Sequence, residues 1–398
     1  MSELTVAQER VWDAVIAGAG PAGSTAALHL ARRGRRVLLL DRHAFPRDKV
    51  CGDGLVEDAL RCLERADLME RVAARAHALG TCSVFSPGRL EVPVPGRYLT
   101  IRRVELDDIL RAGAVERGAA FAVGTVSGVH RDADGLFTVD LEGAPALRTR
   151  CAVVASGANP ALLRRCGIRV RQASGVAAAI RGYVTSRFEI DRLIVSFDRT
   201  ITPGYAWIFP LGGGTYNVGC GVFHMAGHGP SADLHAVLER FLRGFPDASR
   251  LMEASDSMTR PKGAMIWSGL SAATPVSRDG VLVAGEAIGT TLPLTGEGIG
   301  KAMESGELAA LAADAFLSSG DPEALLGYGA LVEGRLRPKF RGYLTAERWL
   351  SWPRLADFIS WRAQRSPRYA SLIAGIMTEA VDPARAFSVR GVLTSFFG

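Results

Sequence analysis

The stretch "DAVIAGAGPAGSTAALHLARRGRRVLLLD", residues 13–41, constrains the fold more than any other part of the chain. A short apolar run, Ala14 to Ala17, leads into Gly18-x-Gly20-x-x-Gly23, then an alanine- and leucine-rich segment, then a second apolar run ending in Asp41. This pattern predicts strand, tight turn, helix and parallel strand. Gly18 permits the turn, Gly20 lets a pyrophosphate approach the backbone, and Gly23 lets helix and strand pack closely. The helix N-terminus then faces the phosphates, and Asp41 stands where a carboxylate accepts a ribose hydroxyl.

A second segment of the same kind lies far along the chain. "GVLVAGEAIGTTLPLTGEGIGKAMESGELAA", residues 280–310, reads as an apolar strand, an acid at its carboxyl end (Glu286), a Pro/Gly-rich turn and a long helix. The helix entered at Gly296-Glu297-Gly298 offers backbone N–H groups and a positive dipole end to an electron-rich ring or phosphate. A cofactor touched by two such distant segments points to FAD rather than NAD.

Two further stretches carry chemistry. "FPRDKVCGDGL", residues 45–55, places Cys51 in a loop of charges and glycines. Arg47, Asp48, Lys49 and Asp53 suit an exposed loop, and a thiol there is mostly protonated at neutral pH. It could give a proton, or its small size could let the loop pass close to a ring; as a bare cysteine it could equally be a buried hydrophobe. "GYAWIFPLGGGTYNVGCGVF", residues 204–223, alternates so that Tyr205, Trp207 and Phe209 share one strand face, as a core face or as a cavity wall.

Together these residues resemble the p-hydroxybenzoate-hydroxylase-type flavoproteins. More narrowly they resemble the geranylgeranyl reductase family, which includes archaeal lipid reductases and mycobacterial menaquinone reductases. Pro46, Cys51, Gly52 and Leu55 match the family's P-x4-C-G-x2-L element, and Tyr205, Trp207, Phe209, Pro210, Gly219 and Gly221 its Y-x-W-x-F-P-x8-G-x-G element. The resemblance implies an FAD-dependent reductase of isoprenoid double bonds. It implies an α/β (overall α+β) fold, with a Rossmann-type FAD-binding domain built from residues 1–80, 98–160 and 276–330. An antiparallel-sheet substrate domain would take 81–97 and 161–275, and a helical region 331–398. FAD would be held by Gly18, Gly20, Pro21, Ala22, Gly23, Asp41, Arg42, Arg47, Cys51, Gly52 and Arg103. Ser156, Gly157, Gly285, Glu286, Pro293, Gly296, Gly298 and Ile299 would complete its site. Cys51, Gly52, Tyr205 and Trp207 would stand at the reaction centre, and Tyr205, Trp207, Phe209, Gly219 and Gly221 against the substrate, with Ile208 among the apolar walls. NADPH or reduced ferredoxin would supply electrons.

The departures narrow this reading. Ala155-Ser156-Gly157 lacks the aspartate common in aromatic hydroxylases, and Tyr205 and Phe209 break the W-x-W-x-I-P halogenase signature. Leu292 precedes Pro293 where menaquinone reductases commonly have asparagine, so the substrate could differ from theirs. A monooxygenase, a halogenase, or a dehydrogenase that forms a double bond are the competing chemistries.

Composition closes off other classes. The six cysteines show no C-x-x-C spacing, which argues against a zinc site or disulfide framework and for a reducing cytosol. His224 and His228 stand four apart but beside Gly227 and Gly229, a poor helical metal pair. No apolar stretch approaches the roughly 20 residues of a membrane span, and the N-terminus, with Glu3 and Glu9, does not read as an export signal. The net charge of +6 resides entirely beyond Leu331, where eleven basic residues face five acidic ones. There Trp349, Trp352 and Trp361 alternate with Arg348, Arg354, Arg362, Arg365 and Arg368. Either these tryptophans pack on the body, or the tail lies on the inner surface of an anionic membrane; nothing points to nucleic acid.

Overall fold

In the computed structural model, which describes residues 10–171, 176–201, 204–223, 233–277 and 279–383, the glycine-rich segment forms strand Val11–Ala17, helix Pro21–Ala31 and strand Val37–Asp41. The two strands pair in parallel, Ala14 with Val37 and Ala17 with Leu40. Val37–Asp41 is buried along its whole length, and a strand buried on both faces reads as an unbroken apolar run rather than an alternation. The seven-stranded sheet runs Ala120–Val123, Val37–Asp41, Val11–Ala17, Ala144–Val154, Phe137–Leu141, Val126–Arg131. Leu282–Val283 joins it in parallel beside Ala144–Val154, so the distant second segment closes onto the sheet begun by the first. The two long helices meet through glycine: a Cβ on Gly306, in helix Ile299–Ser319, would lie 2.2 Å from the Ala22 carbonyl oxygen.

A nine-stranded sheet faces this layer. Its order is Ser255–Met258, Val176–Ser186, Thr215–Phe223, Gly204–Pro210, Leu193–Ser196, His77–Phe85, Glu91–Thr100, Gly54–Leu55, with Lys262–Trp267 also on Val176–Ser186. One pairing departs from the expected antiparallel pattern: Leu193–Ser196 runs parallel to His77–Phe85. The two are far apart in sequence, so no hairpin dictates their direction. Gly54–Leu55 and the start of His77–Phe85 also join this sheet rather than the first. Ile208 is not a cavity wall. Strand alternation turns it with Ala206 to the opposite face, into a core shared with Leu238, Phe241 and Leu251 of helices Leu234–Gly244 and Pro246–Glu253.

Helices Arg337–Leu350, Pro353–Arg365 and Pro367–Met377 pack on the body, while two of their tryptophans, Trp352 and Trp361, stay outside. Phe340, Tyr343 and Ala346 are buried, and the Tyr343 hydroxyl donates to the Ile376 carbonyl. Trp352 is 72% exposed and Trp361 40%. Asp357 pins this layer to the nine-stranded sheet by accepting from Ser86 Oγ at 2.7 Å and Arg199 Nη2 at 2.8 Å. Among the described residues no helix is long and apolar enough to cross a membrane. Glu3, Glu9, His224 and His228 lie outside the described residues.

The glycine contact gives the first test. Gly306→Val should lower stability by about 1–3 kcal/mol through overpacking against Ala22, read as a fall in the thermal midpoint; an unchanged midpoint would mean that the helices can separate freely.

Candidate active site

A cavity of about 460 Å³ opens between the two sheets, and its two ends differ in chemistry. At one end it is lined by backbone turns and helix starts: Gly18 and Gly20 with Pro21 and Ala22 at the entry to the first helix, Gly285 and Glu286 after the short strand, and Gly296 and Gly298 with Ile299 at the entry to the second helix. Gly18 has φ of 109°, and a Cβ there would sit 2.3 Å from the Ala155 carbonyl oxygen, so only glycine makes this turn. A Cβ on Gly20 would meet nothing nearer than Arg47 Nη2 at 3.7 Å, which leaves the helix N-terminus open to the cavity. The Asp41 carboxylate is oriented by its neighbours, Oδ2 accepting from Ala19 N and Oδ1 from His43 N, each at 3.0 Å. Glu286 Oε1 accepts from Trp267 N at 3.4 Å while Lys49 Nζ stands 3.8 Å from Oε2. Ser156 Oγ is buried without a hydrogen-bond partner among the described residues, and Ser156 and Gly157 line the same end.

This end fits FAD. Two open helix N-termini suit the pyrophosphate and the flavin ring's polar edge, two oriented acids suit polyol hydroxyls, and an orphaned serine hydroxyl awaits a partner. Arg42, Arg47 and Arg103 flank it. Arg47 Nη1 lies 3.0 Å from Asp107 Oδ2, and Arg103 grips the same carboxylate with two bonds of 2.7 and 2.8 Å. Arg103 opens helix Arg103–Glu116, so the pair is one helical turn apart on a single face.

The other end begins at the Cys51 loop. Cys51 and Gly52 line the cavity opposite Tyr205, Trp207 and Phe209, with Gly221 behind. Gly52 leaves room for the aromatic wall: a Cβ there would stand 3.3 Å from the Phe209 ring and 3.5 Å from Trp207 Nε1. Three polar groups clamp the loop. Asn217 accepts from Trp207 Nε1 at 2.9 Å and donates to both the Cys51 carbonyl and Asp53 Oδ2 at 2.8 Å. The Tyr183 hydroxyl donates to Asp53 Oδ2 at 2.8 Å, and Arg103 N to Oδ1 at 3.2 Å. Arg181 lies over the Tyr183 ring at 4.3 Å and pairs with Asp48 at 2.8 Å.

The loop is therefore only in part the exposed one its charges suggested: Asp48 and Lys49 do reach solvent, but Arg47 and Asp53 turn inward. Asp53 is fully buried, and Arg47 is only 15% exposed, because each has a partner inside. Burial pushes the Cys51 thiol up from its usual range, against the pull of Arg103, so it stays protonated. Burial likewise raises the Asp53 carboxyl, with Tyr183, Asn217 and Arg181 opposing.

Three expected residues stand back from the cavity. Gly23 serves packing, since a Cβ would fall 1.8 Å from Gly18 O; Gly219 backs the Trp207 ring, where a Cβ would come within 2.3 Å. Pro293 is buried in the turn and does not line the space. Sequence reasoning passed over Asp53 as a hub, Arg181, Tyr183, Asn217 and Glu297. A charged Arg181 inside "AAAIRGYV" and a polar Asn217 inside "TYNVGCGVF" were visible exceptions to apolar alternation.

The clamp can be tested directly. Asn217→Ala should cost about 1–3 kcal/mol for each buried partner it orphans and should speed alkylation of Cys51 several-fold, followed by mass spectrometry. Unchanged labelling would show that the loop is held by something else.

Comparison with known proteins agrees with this geometry. An FAD binding domain matches residues 12–196 and a geranylgeranyl reductase catalytic domain residues 177–257. The chain is 33% identical over 311 residues, 75% of each chain, to a menaquinone reductase of Mycobacterium tuberculosis. Its fold is shared by a geranylgeranyl bacteriochlorophyll reductase-like protein of Thermoplasma acidophilum, with a TM-score of 0.77 at 20% identity over 97% of this chain and 96% of the other. The same fold also carries a flavin-dependent brominase, Bmp2, at a TM-score of 0.78, 19% identity and 98% of both chains. From the matched domains and the bacterial relative, the chain belongs to the geranylgeranyl reductase and menaquinone reductase family of FAD-dependent oxidoreductases.

Proposed function

We propose that the protein reduces carbon–carbon double bonds of a polyprenyl chain, and the observation that carries this is the two-ended cavity. Beyond Tyr205, Trp207 and Phe209, its far end is lined by Cys82, Tyr98, Leu193, Val195 and Met377. An isolated alkene has no polar handle, so such walls must recognise it by shape and by exclusion of water. FAD, bound and reduced, supplies hydride. The chain's own residues do the rest. The glycine turns, Asp41 and Glu286 hold the cofactor, Arg103 and Arg47 anchor its flank, and the Cys51 loop brings a neutral, compact surface against the reacting centre. We assign residues 1–80, 98–160 and 276–330 mainly to cofactor binding and 81–97 and 161–275 mainly to the substrate roof. Electrons would come from NADPH or a reduced ferredoxin. Halogenation or oxygenation has the shared fold behind it but no residue signature, as Tyr205, Phe209 and Ser156 depart from those enzymes' motifs.

The substrate's source follows from the C-terminal helices. Met377, at the cavity's apolar end, belongs to the helix that follows the exposed Trp352, Phe358 and Trp361. Phe358 and Trp361 stack at 5.9 Å, and Arg365 covers Trp361 at 4.5 Å. Exposed aromatics amid arginines suit an anionic lipid surface, from which an isoprenoid could reach the cavity.

Three outcomes are expected. With dithionite as reductant, anaerobic enzyme should add two hydrogens to a prenyl substrate in a panel of alcohols, diphosphates and quinones; products that gain oxygen or lose hydrogen would refute the reading. Cys51→Ser should keep FAD bound and slow turnover, and full activity would reduce Cys51 to a spacer. Replacing Trp352 and Trp361 by serine should weaken co-sedimentation with anionic vesicles while leaving FAD content unchanged; equal binding by both proteins would argue against the surface.

A further inference from the structure

We propose that Glu297 is the acid that gives the proton to the second alkene carbon, an inference that rests on the alkene-reduction reading above. Glu297 lies in the turn between Gly296 and Gly298, and all three line the cavity. Tyr205, whose hydroxyl donates to Thr295 O at 2.8 Å, packs beside this turn. Glu297 Oε2 is buried and has no hydrogen-bond partner among the described residues, so the hydrogen-bonding capacity of this oxygen is unmet.

The carboxyl is placed so that it keeps a proton. Carboxyl oxygens of Glu297, Asp58 and Glu379 lie within 4.8 Å of one another. Two cations serve this group, and both go elsewhere: Lys301 Nζ stands 2.9 Å from Asp58 and 2.7 Å from Glu379, and Lys339 Nζ 2.7 Å from Glu379. Glu304, 3.7 Å from Lys301, has its own partner in Arg335 at 3.0 Å. Glu297 is thus the carboxyl of this group for which no ion pair forms among the described residues, so a proton is what relieves its crowding against Asp58 and Glu379. Burial, then Asp58 and Glu379, hold its pKa well above the usual carboxylate range. Against the cost of burial, Lys301 and Lys339 hold Glu379 below it.

The other titratable groups facing Glu297 are poorer donors. Burial raises Tyr205, Tyr98 and Tyr343, and pushes the Cys82 thiol up to about 12. Asp53 has both oxygens engaged by Arg103 N, Tyr183 and Asn217. The step balances: one alkene carbon takes hydride from reduced FAD, the other takes the Glu297 proton, and the π bond is replaced by two C–H bonds. Glu297 is left as a carboxylate, reloaded from solvent, and FAD is oxidised, to be reduced again by the external reductant.

Glu297→Gln keeps the size and an N–H for Glu379, so FAD content and the rate of flavin reduction by dithionite should match the wild type. Single-turnover alkene reduction should then fall by about 100-fold or more, and one protonated-acid carbonyl band of the wild type at neutral pH, identified in the wild-type-minus-variant infrared difference spectrum, should be missing. Glu297→Asp, which keeps the proton but withdraws it, should fall between the two. An E297Q rate close to wild type, an Asp variant no faster than Gln, or the absence of that band from wild type would overturn the assignment. If wild type itself saturates no prenyl alkene, it is the reductase reading that fails, whatever the infrared result.

Discussion

The buried carboxyl of Asp53 is the interaction on which the site depends. It sits at a backbone φ of 65°, at the tip of the Cys51 loop, and is met from both neighbouring layers: by Tyr183 and Asn217 of the nine-stranded sheet and by the first N–H of helix Arg103–Glu116. Removing a carboxyl from water is costly unless its hydrogen-bonding capacity is met, so the loop has one low-energy position, the one where all three donors converge. Buried polar groups of this kind add little net stability but specify a single arrangement. Here the arrangement sets the distance between the Cys51 loop and the Trp207 ring.

The same logic recurs on the other side of the cavity. Lys301, with a side chain only 1% exposed, draws together Asp58 of helix Glu57–Arg65 and Glu379 beyond the last described helix. The chain's C-terminal layer is thereby tied to the turn that carries Gly296 and Gly298. Apolar packing fills the space between these polar anchors: a large core under the seven-stranded sheet, a second behind Ile208 and Phe241, and a small one where Cys82, Tyr98 and Met377 meet. The polar anchors fix positions and the apolar surfaces supply most of the driving force.

Legibility in the sequence followed the range of the interaction. The turn at Gly18 and the strand-helix-strand around it were readable because every constraint there is local: a φ available to glycine, a proline at the first helical position, an unbroken apolar run. The alternation that presents Tyr205, Trp207 and Phe209 together was equally plain. Within the Cys51 loop the charges of Asp48 and Lys49 are exposed as expected, but the burial of Arg47 and Asp53 was not legible, because counting charges says nothing about partners and these two find theirs on segments far away in sequence. The tryptophans of the tail were ambiguous for the same reason, since helix amphipathicity cannot say which face meets the body. Burial fell to Phe340, Tyr343 and Ala346, leaving Trp352 outside.

By itself, then, the sequence determined the glycine turns that open onto the cavity, the α/β architecture and the family, because these rest on short-range backbone geometry and fixed spacing. The tertiary structure alone decided which charges are buried, that Gly54–Leu55 joins the nine-stranded sheet, that Ile208 turns away from the cavity, and that Glu297 forms no ion pair among the described residues. Those outcomes depend on which partners the folded chain brings within a few ångströms, and in a low-dielectric interior that proximity sets both the cost of a charge and the residence of a proton.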